Sequence, residues 1–204
     1  MARARRWGRS IALAIALPGF LLAACGSRDR VESDAATTLL PTVPLTTIPP
    51  AQRVQFRPVL EVADARGPCQ PVAHPPLEQQ LAIPRCKGDD VVERLVVGPA
   101  FLLGDSVESV DPTYLPGAWS VRLTFREGAP GIDTFNDWAT RCYESRPECP
   151  DTGTGNGAIA IVLDGEVLGA PTVKAPSFQR DQISVSLEDE ATAQALATAL
   201  QPAG

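Results

Sequence analysis

The chain has 204 residues, with 18 Lys plus Arg against 24 Asp plus Glu, a formal charge of −6, 20 prolines and one histidine. That length suits one domain with an irregular flank. The acidic balance argues against sequence-independent binding of nucleic acid, which needs a basic stripe, and a single histidine rules out metal sites built on two or three histidines.

Charge and hydropathy are uneven along the chain. Residues 1–10 carry Arg3, Arg5, Arg6 and Arg9 and no acid, residues 11–24 (IALAIALPGFLLAA) are apolar, and Cys25 follows. A basic start, a short apolar run and small residues before a cut are the marks of an export signal. The run is short for a spanning helix. Leu22-Ala23-Ala24-Cys25 also resembles the bacterial lipobox, which implies cleavage before Cys25 and acylation of its sulfur. A plain signal peptide with an ordinary cysteine beyond the cut is the alternative. Cleavage would remove four arginines and no acid, moving the charge from −6 to about −10. The expected location is therefore the outer face of a cell membrane, held by lipid.

Residues 25–53 are rich in Thr, Ala and Pro, with Pro41, Pro44, Pro49 and Pro50 favouring extended, unpaired backbone. They are expected to form a tether. Residues 54–62 (VQFRPVLEV) resemble a strand interrupted by Pro58. Residues 65–90 hold five prolines and little periodicity, so 54–90 is expected to be an irregular, stapled segment. His74, between Ala73 and Pro75, sits there as a loop residue without a nucleophile beside it.

From residue 91 the pattern sharpens into a domain spanning 91–201. Residues 91–97 read as a strand, 101–104 as a short extended piece and 105–111 as an acidic turn ended by Pro112. Residues 119–126 alternate, placing Trp119, Val121, Leu123 and Phe125 on one face. Residues 132–143 change to helical period, with Ile132, Phe135, Trp138 or Ala139, and Cys142 in one stripe. A loop spans 147–157. Two apolar runs, 158–163 and 167–173, flank Asp164-Gly165, a strong hairpin signal because both residues tolerate positive φ. A strand at 182–185 precedes a helix over 187–200, for which Ser186 is the expected cap and Asp189 the closing residue of a capping box. The fold class expected is α+β: an antiparallel-rich mixed sheet of about five strands with two helices on one face, a ferredoxin-like order being one option.

Setting Cys25 aside leaves Cys69, Cys86, Cys142 and Cys149, an even set in an exported chain. Three pairings are open. The local one, Cys69 with Cys86 and Cys142 with Cys149, is preferred because each pair brackets a poorly patterned stretch. A four-thiolate metal site is the alternative, but the spacings contain no CxxC and export favours oxidation.

Three stretches resemble one family: Leu95-Val96-Val97-Gly98-Pro99-Ala100, Trp119 to Phe125, and Ala160-Ile161-Val162-Leu163-Asp164-Gly165-Glu166-Val167-Leu168-Gly169-Ala170-Pro171. They resemble the first extracytoplasmic domain of SecD, and within it the head subdomain. Phe56-Arg57-Pro58-Val59-Leu60 resembles the approach to that domain, so the likeness covers about 55–201. The resemblance implies a head that contacts polypeptides emerging from the export channel, beside SecF. It also implies proton-driven membrane helices, which have no counterpart in this sequence. The family's fold is therefore expected here without its pumping.

Other chemistry is weaker. Asp105, Glu108 and Asp111 would share a face only on a helix, and read as a solvated acidic turn. The loop Asp151-Thr152-Gly153-Thr154-Gly155-Asn156-Gly157 resembles a phosphate loop, but a strand follows it where a helix is needed. Asp164 and Gly165 are assigned to the turn. No catalytic residue, metal or cofactor is expected. Three functions compete: contact with an exported polypeptide or the SecD/SecF-channel complex, for which the 181–185 strand with Ile183 and Val185 (or 91–97) offers an edge; binding of a small ligand or an envelope component; and hydrolysis by paired carboxylates.

Overall fold

The computed structural model describes residues 53–116 and 118–201. The leader, Cys25 and the proline-rich stretch to residue 52 lie outside the described residues. Nine strands and two α-helices are present among the described residues: β1 Val54–Asp64, β2 Leu81–Lys87, β3 Asp90–Val97, β4 Leu102–Leu103, β5 Val107–Leu115, β6 Ala118–Phe125, α1 Ile132–Tyr143, β7 Ile159–Leu163, β8 Glu166–Gly169, β9 Ile183–Leu187 and α2 Glu190–Leu200.

The α+β class stands, but the strands are nine rather than about five, and they divide between two sheets. The larger has the order β2-β3-β1-β7-β8, with β4 added beside β1; the smaller has the order β5-β6-β9. Every strand pair is antiparallel. Because β6 and β9 leave for the second sheet, the arrangement differs from a single ferredoxin-like sheet.

β1 organises the larger sheet. Its first half pairs with β7 (Val54↔Leu163 to Pro58↔Ile159) and with β4, and its second half pairs with β3. The exchange happens at an irregularity between Val59 and Glu61. Pro58 sits just before it, where a missing N–H is least costly. Alternation then sends Val54 and Phe56 to one side and Gln55 and Arg57 to the other. Val54 and Phe56 enter the main core, shared with Val121, Leu123 and Phe125 of β6, Phe135 and Ala139 of α1, and Leu196 and Leu200 of α2. Val59 belongs to a second core with Ile83, Leu95, Val97, Ala160 and Val162.

Arg57 is fully buried and, among the described residues, faces no carboxylate. Its Nε donates to Gln55 Oε1 at 2.8 Å, and Nη1 donates to the carbonyls of Gln79 (2.9 Å) and Gly98 (2.8 Å). Nη2 donates to the Pro76 carbonyl. Gln55 Nε2 in turn donates to the Pro75 carbonyl at 3.1 Å. Desolvation lowers the guanidinium pKa to about 10, which leaves it charged at neutral pH. Two side chains of β1 thus hold the 75–79 segment by its main chain.

Several expected boundaries move. The 54–90 stretch is not irregular throughout, since it contains β1 and β2. β2 (LAIPRCK) hides because Pro84 and Cys86 break its alternation, and its ladder to β3 carries a shift between Arg85 and Cys86. The 105–112 stretch is a short 3₁₀ turn, Gly104–Ser106, followed by β5, with Pro112 inside the strand. Proline is tolerated there because β5 is the edge of its sheet. β8 stops at Gly169, short of residue 173. Helix α2 is capped by Asp189, whose side chain accepts from the Thr192 N–H at 2.8 Å, and not by Ser186. Ser186 lies inside β9, and Asp189 has the short acceptor at the helix start that a cap requires.

Removing the arginine leaves four acceptors without this donor, two of them buried. Arg57→Ala should therefore destabilise the chain by about 3–5 kcal/mol, read as a lower urea midpoint. Arg57→Lys should recover only part of this, because an ammonium cannot span the fork.

Candidate functional site

Among the described residues the smaller sheet ends on β9, which pairs there with β6 alone, from Trp119↔Leu187 to Leu123↔Ile183. Its sequence, ISVSL, alternates in burial: Ile183, Val185 and Leu187 face the core, while Ser184 and Ser186 face outward. Ser184 Oγ lies 2.6 Å from Ser120 Oγ across the ladder. The other side of β9 meets the larger sheet. Gly169, the last residue of β8, lies so close that a Cβ there would sit 3.5 Å from Leu187 Cδ2 and 3.8 Å from Val185 Cγ1.

Beside residues 182–185 lies a recess of about 210 Å³, lined from both sheets. Phe56, Leu123, Ile159 and Ile161 line its floor, Phe135 and Phe178 one wall, and Thr172, Val173 and Lys174 its rim. Ile183 and Val185 project into it. The lining is chiefly hydrocarbon, with Lys174, Gln182 and Ser184 as the polar members. Rigid contacts hold the walls. Asn136 on α1 exchanges two hydrogen bonds with the main chain of Phe178 (3.1 and 2.9 Å), and Thr140 Oγ1 donates to the Pro176 carbonyl at 2.8 Å. Arg180 bonds Glu108 (2.8 Å) and Glu127 (3.1 Å), fixing the approach to β9 on the β5–β6 hairpin.

Cys69 is bonded to Cys86, and Cys142 to Cys149. The first bridge ties the 65–80 loop to β2; the second closes the turn after α1. Glu166 lies beside the first bridge, close enough for three ligand atoms to cluster. Both sulfurs are engaged with each other, so this cluster supplies no thiolate to a metal. Burial raises the Glu166 pKa, and a bond from the Cys86 N–H partly offsets this.

Asp164 and Gly165 join β7 to β8 with φ of 51° and 82°. Asp164 forms an ion pair with Arg53, and the Gly165 carbonyl accepts from the Val72 N–H at 3.0 Å. A Cβ on Gly165 would fall 1.8 Å from the Val72 carbonyl oxygen. The turn is thus a structural contact with the 65–80 loop.

The glycine-rich loop is occupied from within. Asp151 Oδ1 accepts from the N–H groups of Gly153, Thr154 and Gly155 at 2.8, 2.8 and 2.9 Å. Those donors are the ones a phosphate would need. They also hold the Asp151 carboxyl below its usual range. Asp105, Glu108 and Asp111 do not converge: Asp105 is on the 3₁₀ turn, Glu108 bonds Arg180, and Asp111 lies opposite Arg122. Among the described residues the buried polar side chains are Gln55, Arg57, Ser106 and Ser120, so no pair of buried acids is assembled there. His74 is an exposed loop residue with φ of 49°.

The recess is what sequence reasoning missed. Its residues come from seven separated stretches, and only the alternation of β9 pointed toward it.

No family model matches the chain, and no curated protein matches it. Among solved structures, it is similar to one described as the crystal structure of SecDF in a super-membrane-facing form. That likeness has 20% identity and a TM-score of 0.42, and covers 74% of this chain and 19% of the other. The chain therefore spans less than a fifth of that protein's length. No helix among the described residues is long and apolar enough to cross a membrane.

Two outcomes follow from this geometry. Gly165→Ala should cost at least about 2 kcal/mol, from the positive φ and the clash with Val72, seen as a lower thermal midpoint. The carboxyls of Asp151 and Asp189 are both held low by main-chain N–H groups. The unfolded chain therefore takes up protons first as pH falls, and the stability these groups supply above the ordinary carboxylate range is lost on acidification through their folded values. Asp151→Ala should lower stability at neutral pH and narrow the difference between neutral and acid unfolding midpoints.

Proposed function

We propose that this chain is a non-enzymatic, lipid-anchored extracytoplasmic domain that receives an extended polypeptide at the free edge of β9, in the service of protein export. The observation that carries the reading is the coincidence of an edge strand with an apolar recess. An extended segment laid along an edge gains main-chain hydrogen bonds, and its alternate side chains need pockets. Residues 182–185 offer the first and the recess offers the second. The resemblance of residues 95–100, 119–125 and 160–171 to the SecD head supports an emerging chain, or the SecD/SecF-channel complex, as the partner. The leader and Cys25 support anchoring at the outer face of the membrane.

A lipoprotein for a small ligand or envelope component is the second reading, favoured by the apolar lining. At this recess volume weighs against it: 210 Å³ lies below the roughly 300–1,000 Å³ usual for small-molecule sites. A space of this size suits one or two side chains of a longer ligand.

The test is calorimetric titration of the full chain with unfolded exported polypeptides and with short extended apolar peptides. Thr172→Phe, at the rim, should fill the recess and weaken binding by about tenfold or more while leaving the thermal midpoint close to wild type. Failure of the wild-type chain to bind any such polypeptide would remove this reading. Consistent recovery of export-channel subunits by mild crosslinking in membranes would favour the machinery as partner.

A further inference from the structure

The β5–β6 hairpin carries a second surface that the edge of β9 does not use. Among the large hydrophobic residues exposed in the described chain, the two most exposed are neighbours at its tip: Tyr114 at 60% and Leu115 at 50%. Tyr114 pairs with Trp119 across the hairpin, and their rings are tilted against each other with centroids 5.4 Å apart. Trp119 is half-buried, seated on the main core, so the pair is braced from below. Leu115 pairs with Ala118, and only Pro116 and Gly117 separate them.

The tip is also free of charge. From Pro112 to Val121 the sequence is PTYLPGAWSV, without an acid or base, in a chain with 21% charged residues. The first charges below it, Asp111 and Arg122, stand opposite each other. Isolated exposed apolar residues are ordinary. A braced tyrosine–tryptophan pair with an adjoining leucine on an uncharged turn is a different arrangement. Both rings combine an apolar body with a polar atom, which suits them to the boundary between headgroups and hydrocarbon. No charge has to be dehydrated for this tip to enter that boundary.

We infer that the β5–β6 tip is a membrane-surface contact, in which Tyr114, Leu115 and Trp119 enter the interface of the bilayer that anchors the chain. This rests on the lipid-anchor reading of Cys25. The 28 residues from Cys25 to Arg53 include four prolines and, at about 3.1 Å per residue, span at most about 90 Å, well beyond the length of the eight-residue β6 at about 25 Å. The anchor therefore keeps the tip within range of the surface, where a weak two- or three-residue contact is populated through high effective concentration.

The experiment uses the full, lipidated chain purified from membranes and reconstituted in phosphatidylcholine vesicles. A polarity-sensitive fluorophore is attached at Leu115→Cys in one preparation and at Glu127→Cys in another. Glu127 is exposed just beyond the opposite end of β6. The label at 115 should shift to the blue on reconstitution and be quenched several-fold more by a lipid-borne quencher than the label at 127. Adding Tyr114→Ser should reduce that difference. If the chain floats with the vesicles but the two labels remain equally exposed to water, the tip contact is overturned and the anchor stands. If the chain does not float with the vesicles at all, the anchor reading and the tip contact both fall.

Discussion

The Arg57 guanidinium is a charge taken out of water without a counter-charge. Such a group persists only if dipoles replace its hydration. Here the replacement is the main chain of other segments: the carbonyls of Pro76, Gln79 and Gly98, with Gln55 as the neutral side-chain partner. The same bonds serve the loop. A proline-rich segment cannot satisfy its carbonyls in a regular ladder, and a buried donor fork gives them partners. Arginine and loop thus solve each other's solvation problem at the point where β1 changes partners.

That junction determines where the rest can go. β1 feeds two cores, sending Val54 and Phe56 into one and Val59 into the other. The first core joins the two sheets and both helices; the second lies within the larger sheet. Around it, the Cys69–Cys86 bridge and the Val72–Gly165 bond fasten the loop to β2 and to the β7–β8 turn. The recess beside β9 is lined from both sheets, by Phe56, Ile159 and Ile161 of the larger and by Leu123, Ile183 and Val185 of the smaller. Asn136, Thr140 and Arg180 hold the 176–180 segment at its border through hydrogen bonds to Phe178 and Pro176 and ion pairs to Glu108 and Glu127.

Much of this was legible locally. ISVSL and the β6 alternation showed which faces are buried, and Asp164-Gly165 marked a tight turn. The stripe through Phe135, Ala139 and Cys142 marked α1. Each signal is a period or a turn residue, which needs no distant partner. β2 and β5 were hidden for one shared reason. Pro84 and Pro112 suggest broken structure, and only the strand order shows that β5 is an edge on which proline is harmless. Arg57 was hidden by its type: an arginine in a strand ordinarily faces water, and the main-chain carbonyls that accept from it lie some 20 to 40 residues away.

The sequence by itself determined the class of fold, the faces of its strands and helices, and the expectation of export and a lipid anchor, because those depend on composition, period and short motifs. Only the tertiary structure decided that the strands form two sheets, that Arg57 is buried, and that β9 borders an apolar recess. Those features are made of pairings between distant segments, and a pairing is chosen by the cost of leaving polar groups unsatisfied. No single stretch of the chain records that cost.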